Sequence, residues 1–210
     1  MQPEDKDKKI TSFEEQLLQL GQMPNQLATI TKWRKALDLP ALLISLGEDL
    51  NREGLQETPR RIAKAWRELF EGYTMKPEEI TGTKFASEGR GIQVCRNIHF
   101  SSMCEHHILP FYGYAQIAYQ PDKYVLGLSK LARLVDCFAH RLQIQERLTQ
   151  QIADAIVAAA EPIGVYILIH ATHMCCQGRG IRRDRMDFVT SCSFGDIDIP
   201  QCHALLTPTN

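Results

Sequence analysis

The segments that follow Pro77 come in an order that few architectures can accommodate. Two runs with period-two or β-branched character come first, then a long helical stretch, then two more such runs. Strands in this order pair most simply as an antiparallel sheet with helices on one face, so the pattern predicts an α+β fold rather than a doubly wound one. The strand-like runs span residues 91–100, 114–119, 165–171 and 188–193.

The helical stretch between these pairs of strands spans residues 129 to about 160. Its apolar repeat slips in phase near residues 140–143, before a second repeat begins at Ile144. We therefore expect two helices or one bent helix on the antiparallel four-stranded sheet.

The chain before the strands has a helical pattern. A polar tail is followed by amphipathic repeats over residues 11–20, after Pro40 and from Thr58 onward, which predict three helices. We expect three parts: an N-terminal extension over 1–40, a helical segment over 41–80, and a domain over 81–210 that carries the strands and has a variable C-terminal tail.

The charge balance excludes one large class of proteins. The chain has 24 Lys and Arg against 25 Asp and Glu, a formal net charge of −1, which argues against a nucleic-acid partner because such binding needs many cationic contacts to phosphates. No apolar run approaches the roughly 20 residues that cross a bilayer, so no membrane partner is expected. The polar start lacks the apolar stretch of a secretory signal, and we expect a cytoplasmic protein.

A zinc site is the sharpest local signal. Cys104 and His107 are three residues apart in an expected tight turn, so both could reach one zinc ion, although such pairs also occur by chance. The adjacent Cys175 and Cys176 end another predicted strand and offer a third soft ligand. Two Cys and one His would leave one position for water, as in a catalytic site, and the extra His106 could then carry protons.

Cationic and hydroxyl side chains gather at two further places. Ser129, Lys130 and Arg133 open the long helical stretch, where a helix N-terminus attracts anions. Arg179 lies between two glycines in a loop, where a planar guanidinium could contact phosphate. Each stretch taken alone favours the simpler interpretation as a solvated basic face.

Gln145 and Glu146 stand where the second helix is expected to begin. A first-turn carboxylate is favoured by the helix dipole, which by itself explains Glu146. A carboxylate also accepts two parallel hydrogen bonds from the edge of a guanine base. The residues alone leave both explanations open.

Taken together, these motifs resemble the GTP cyclohydrolase I family. The matching segments are CEHHILPFYG (104–113), GLSKLARLVDCFAHRLQIQERLTQQIADAI (127–156), HMCCQGRGIRR (173–183) and TPRRIAKAWRELFEGY (58–73). The resemblance covers roughly residues 41–195, and three separated motifs in register are far more specific than any one of them.

The resemblance implies a tunnelling fold (T-fold) in which subunits join their sheets into a barrel. It implies a homo-oligomer, a decamer in this family, with sites at subunit boundaries. It also implies Zn²⁺ as the cofactor and conversion of GTP, or a closely related purine nucleotide, to 7,8-dihydroneopterin triphosphate and formate.

The resemblance also assigns roles to the candidate residues. Cys104, His107 and Cys175 match the zinc ligands, and His106 matches the histidine that protonates the purine imidazole ring. Residues matched to the ribose triphosphate are Ser129, Lys130, Arg133, His173 and Arg179, of which Ser129 and His173 are candidates for proton transfer near the sugar. Gln145 and Glu146 match the guanine-recognition pair.

Three departures from the family pattern leave alternatives open. Gln177 and Gly178 alter the loop near the sugar-phosphate, and the tail after Gly195 lacks the usual final helical pattern. Cys176 could replace Cys175 as ligand, although strand alternation and register favour Cys175.

The alternative functions are three. One is a paralogue that stops at a ring-opened product or uses a modified guanine nucleotide, and another is a catalytically silent zinc- and nucleotide-binding oligomer. The third is a structural zinc site with Cys176 or Cys192 as fourth ligand.

Overall fold

The computed structural model describes residues 38–207 of the chain. The predicted polar tail and the helix over 11–20 lie outside the described residues. The chain divides into two compact units, Met1–Arg61 and Ile62–Asn210. The described part of the first unit contains α1 (Leu39–Ser45) and α2 (Glu53–Gln56), and α3 (Thr58–Leu69) begins there.

The helix expected after Pro40 is shorter than its leucine repeat suggested. Asp38 caps α1 by accepting from the Ala41 amide at 3.2 Å, and the helix ends at Ser45. Gly47, at φ 89°, then turns the chain out of the helical path, which is a conformation that glycine adopts without steric cost.

The second unit carries the sheet and its helices. A helix that the sequence pattern missed begins at Pro77, before any strand. In chain order the elements are a 3₁₀ helix (Glu71–Tyr73), α4 (Pro77–Thr81), β1 (Lys84–Ala86), β2 (Gln93–Cys104), β3 (Leu109–Gln120), β4 (Tyr124–Leu126), α5 (Leu128–Ala139), β5 (Leu142–Gln143), α6 (Gln145–Ala160), β6 (Gly164–His173), α7 (Met174–Gln177), β7 (Phe188–Gly195) and α8 (Ile199–Leu206).

The main sheet has the order β5-β2-β3-β6-β7. The four longer strands pair antiparallel, which confirms the predicted four-stranded antiparallel sheet and the α+β class. The short β5 adds a fifth, parallel strand beside the end of β2, with Cys104 opposite Gln143. Strand β5 lies where the apolar repeat changes phase between α5 and α6. Strands β1 and β4 form a separate two-stranded sheet.

Helices α5 and α6 pack on one face of the sheet, where they bury the main core. The large side chains that α5 and α6 contribute are Leu131, Leu134, Val135, Phe138, Leu148, Ile152 and Ile156, against Phe100, Phe111, Ile117, Ile167 and Ile169 of the strands. Successive strand residues point to opposite faces, so this alternation accounts for the period-two pattern.

The described part of the C-terminal tail contains a helix, Ile199–Leu206, contrary to the expectation from its sequence. Asp198 caps α8 through the Gln201 amide at 2.9 Å, and Cys202 and Leu206 pack against Ala118 and Tyr166 on the second face of the sheet. A helix of eight residues that buries only two side chains leaves little periodicity to detect. Among the residues that the structure describes, no helix is long and apolar enough to span a bilayer.

Candidate active site

The structure brings Cys104, His107 and Cys175 together at one end of the main sheet. One ligand atom of each residue lies within 4.8 Å of the others. Cys104 is buried at the end of β2, Cys175 is partly buried in α7, and His107 is exposed in the turn between β2 and β3. We call this end of the sheet the cysteine end.

The turn that carries Cys104 and His107 is held by backbone hydrogen bonds. The Ile108 amide donates to the Cys104 carbonyl at 2.8 Å, and the Glu105 amide donates to the Gln143 carbonyl of β5 at 3.0 Å. Ile108 adopts φ 51°, a rare conformation for a β-branched residue that costs on the order of 1–3 kcal/mol. The surrounding pairing therefore imposes this strained turn and fixes the spacing of the two ligands.

Cys175 and Cys176 lie on a helical turn and not on a strand, so the expected strand alternation does not apply to them. Strand β6 ends at His173, and α7 begins at Met174. Cys175 belongs to the three-residue group, whereas Cys176 stays outside it, with its Sγ 3.9 Å from that of Cys175. Cys192 donates to the Gln150 side chain at 3.1 Å and is not in the group either.

The donor set suits a divalent metal ion. Burial, together with the neighbouring thiols of Cys176 and Cys104, raises the pKa of Cys175 to about 11. A cation placed among these thiols would reverse that effect, because a coordinating thiol is deprotonated. Two sulfurs and one imidazole, with ligand atoms within 4.8 Å of one another, match the soft-ligand preference of zinc.

His106 stands next to this group without belonging to it. Its side chain is exposed, and its Nδ1 lies 3.7 Å from the Sγ of Cys104. The ring centroids of His106 and His107 are 6.4 Å apart. The structure thus places one histidine among the candidate ligands and leaves the other imidazole beside them.

A bidentate ion pair that the sequence analysis did not identify ties this turn to α6. Arg147 donates to both carboxylate oxygens of Glu105, at 2.7 and 2.9 Å. The hydrogen bond from Arg147 holds the pKa of Glu105 below its usual value. Because Arg147 follows Glu146 directly, the pair fixes the first turn of α6 relative to the candidate ligands.

The side chain of Gln145 is buried and fully engaged by the protein. Its Nε2 donates to the carbonyls of Ile169 and Phe188, at 3.1 and 2.9 Å, and to the hydroxyl of Thr190 at 3.1 Å. Its Oε1 lies 2.9 Å from Nε2 of His173. The predicted guanine contact of Gln145 stays a prediction, and these hydrogen bonds engage both hydrogens of its amide nitrogen.

His173 is held between aromatic rings at the end of β6. Its ring stacks on Phe111, with centroids 4.7 Å apart and planes 3° from parallel, and contacts Phe188 edge-on at 5.8 Å. Burial lowers the pKa of His173, and the charge of Glu146 opposes this only in part. Glu146 itself is exposed in the first turn of α6, and its carboxylate lies near enough to affect His173.

Ser129, Lys130 and Arg133 lie away from the cysteine end within one chain. Helix α5 begins next to β4, whose Leu126 amide donates to the hydroxyl of Tyr119 near the far end of β3. Helix α5 ends at the cysteine end, where the Ser102 hydroxyl donates to the carbonyl of Ala139 at 2.6 Å. At 1.5 Å per residue, Ser129 is about 15 Å from that end of the helix.

Arg179 is exposed in the loop that follows α7. Strand β7 begins at Phe188, which pairs with Ala171 of β6, so this loop connects two strands at the cysteine end. The predicted site residues therefore form two groups. Those at the cysteine end are Cys104, His106, His107, Gln145, Glu146, His173, Cys175 and Arg179, and those on the first part of α5 are Ser129, Lys130 and Arg133.

Comparison with known proteins gives a consistent result. The family model for GTP cyclohydrolase I matches residues 36–204. GTP cyclohydrolase 1 of Brucella anthropi is 49% identical over 160 residues, which cover 75% of this chain and 75% of the relative. That of Wolinella succinogenes is 50% identical over 147 residues, covering 70% and 79%. GTP cyclohydrolase 1 2 of Pseudomonas aeruginosa is 46% identical over 157 residues, covering 74% and 87%.

Similarity to solved structures is weaker. The archaeosine synthase QueF-Like in the apo form has a TM-score of 0.44 and 15% identity, and the match covers 53% of this chain and 100% of that one. A match at this level supports no argument about the present chain.

Proposed function

Because the chain belongs to the GTP cyclohydrolase I family, we propose that it opens the imidazole ring of GTP at C8, releases formate and recloses the product to 7,8-dihydroneopterin triphosphate. The observation that carries this proposal is the group of Cys104, His107 and Cys175, with His106 beside it, in a chain that matches the family over most of its length.

The three clustered side chains are the proposed zinc ligands. A zinc ion held by Cys104, His107 and Cys175 would supply Lewis acidity that activates water at neutral pH. His106 would donate a proton to N7 of the purine, which makes C8 electrophilic. Its exposure and its position next to the ligands support this role.

Glu146 is the proposed reader of the guanine edge. Its carboxylate is exposed at the start of α6, so it is available to accept from N1–H and the exocyclic amine. The Glu105–Arg147 ion pair holds the neighbouring turn against the candidate ligands. This arrangement supports a base bound across the start of α6 and the cysteine end.

The triphosphate site is proposed to lie at a subunit boundary. Ser129, Lys130 and Arg133 begin α5 about 15 Å from the cysteine end of their own chain. The start of α5 from a second copy would place these residues over that end, where Arg179 would join them. Ser129 and His173 would then assist proton transfer at the sugar, while the cations hold the phosphates.

Product analysis tests the proposal. Purified protein with measured zinc content is incubated with GTP, and products are identified by mass, ultraviolet spectrum and a formate assay. The expected result is one formate per pterin triphosphate.

Other outcomes of the same assay would each contradict the proposal. Formate without a pterin would point to a paralogue that stops at a ring-opened product. GTP binding without turnover would point to a silent nucleotide-binding protein, and turnover of only a modified guanine nucleotide would change the substrate.

A further inference from the structure

The buried amide of Gln145 has a single possible orientation. Its nitrogen faces the carbonyl oxygens of Ile169 and Phe188, which can only accept hydrogen bonds. Turning the amide over would bring three oxygens together without a proton between them. The Oε1 atom must therefore face His173.

Two threonines complete the same network and fix its direction. The Thr149 hydroxyl donates to the backbone carbonyl of Gln145 at 2.7 Å, so the Thr190 hydroxyl must donate to Thr149, 2.7 Å away. Thr190 then accepts from the Gln145 amide at 3.1 Å. Every donor has an acceptor in this arrangement, so Ile169, Phe188 and Thr190 determine the orientation of the Gln145 amide.

The orientation of Gln145 determines where the neutral ring of His173 carries its proton. An amide oxygen only accepts, so Nε2 of His173, at 2.9 Å, must be the donor. The parallel ring of Phe111 and the edge contact with Phe188 hold the imidazole in place. Nδ1 is therefore the nitrogen with a lone pair.

We propose that Gln145 is a positioning residue that keeps the neutral ring of His173 as the Nε2–H tautomer, so that Nδ1 alone exchanges a proton with the GTP-derived substrate. This inference rests on the proposed function. Nδ1 takes a proton from one substrate atom and returns it to another, so the ring is unchanged after each turnover. Gln145 then acts on turnover through His173, and base recognition is left to Glu146.

Spectroscopy of the substrate-free protein tests the tautomer independently of any activity. Solid-state NMR of protein with ¹⁵N-labelled histidine distinguishes a protonated from an unprotonated Nδ1, and the signal missing in His173→Gln assigns the residue. We expect an unprotonated Nδ1 and a protonated Nε2 in the wild-type ring. A neutral His173 with its proton on Nδ1 would overturn the proposal even if the protein converts GTP normally.

Kinetics test the positioning role. Gln145→Met keeps the side-chain length but removes the acceptor, so kcat should fall by about 10- to 100-fold. KM for GTP should change by less than about twofold. Glu146→Gln should show the opposite pattern, with a raised KM. If Gln145→Met instead raised KM with kcat unchanged, Gln145 would read the base and the proposal would be wrong.

Thr149→Val is the matched control for weakened packing. It removes a buried hydroxyl from the same network without touching the bond between Gln145 and His173. We expect kcat to change less than about threefold in this variant. An equal loss of kcat in both variants would assign Gln145 a purely structural role. If Gln145→Met does not fold, the tautomer of His173 in the wild type still tests the proposal.

Absence of GTP turnover in the wild type would refute the proposed function. The tautomer measurement would remain interpretable, because it uses the substrate-free protein.

Discussion

At the residue scale, Cys175 of the candidate metal centre lies among groups that oppose its ionisation. The thiols of Cys104 and Cys176 add to burial in raising the pKa of Cys175, so two thiolates this close are unfavourable without a cation. The same closely spaced thiols would be ligands to a bound metal ion. Cys104, His107 and Cys175 therefore form a possible metal-binding group.

The roles proposed for Cys104 and His106 predict different losses. Cys104→Ala removes a ligand, so we expect both bound zinc and turnover to be lost. His106→Ala removes the proton donor and keeps the ligands, so zinc content should stay near that of the wild type while kcat falls by about 100-fold or more. Zinc analysis and a GTP turnover assay on the same preparations measure both quantities.

The two histidines could also have exchanged roles. Loss of zinc in His106→Ala, together with retained zinc in His107→Ala, would show that His106 is the ligand. The 3.7 Å distance from Cys104 Sγ to His106 Nδ1 makes this comparison necessary.

At the element scale, the break between α5 and α6 has a structural cause. The pattern predicted a change of phase near residues 140–143, and the chain there forms β5, which pairs with the end of β2. The Gln143 carbonyl accepts from the Glu105 amide, so the break also supports the turn that carries His107. The two helices are thus separated by a segment that helps to position the candidate ligands.

Close contact between β3 and β6 depends on Gly113. A Cβ at this position would lie 1.9 Å from the carbonyl oxygen of His170, so Gly113→Ala must push the strands apart. We expect the free energy of unfolding to fall by about 1–3 kcal/mol, as for other overpacked sites. Urea denaturation followed by circular dichroism measures the change.

Gly91→Ala is the control for this substitution. A Cβ at Gly91 would meet no atom within 4 Å, so stability should change by less than about 0.5 kcal/mol. Equal effects of the two substitutions would mean that the contact with β6 does not determine the cost.

At the scale of the whole molecule, the predicted site residues occupy separate regions of one chain. The candidate metal ligands lie at the cysteine end, and the first turn of α5 lies about 15 Å away along the helix. Under the proposed function, a second copy would complete the site by supplying the triphosphate-binding residues. Oligomerisation would then be a condition for activity.

Mixed oligomers test this arrangement. Cys104→Ala damages the cysteine end and Arg133→Ala damages the start of α5, so each variant alone should be nearly inactive. If each site combines the two regions from different copies, co-expression should restore about one quarter of the sites. Turnover of GTP by the co-purified mixture, relative to the separate variants mixed after purification, measures this recovery. No recovery would mean that each chain supplies its own complete site.

Much of this organisation could be predicted from local patterns, and some of it could not. The order of the four main strands and two helices followed from periodicity and is confirmed. The pattern missed α4, β1, β4 and β5, because segments of two to five residues show too little repeat to detect. It also missed α8, which buries only two side chains.

The amino-acid sequence by itself determined the α+β order, the family and which residue types could bind a metal and a nucleotide. Only the tertiary structure decided how the polar side chains pair. Glu105 meets Arg147 across 42 positions, and Gln145 meets His173 across 28. Periodicity reports which face of an element is apolar, but a polar partner so far along the chain is chosen by how the elements pack.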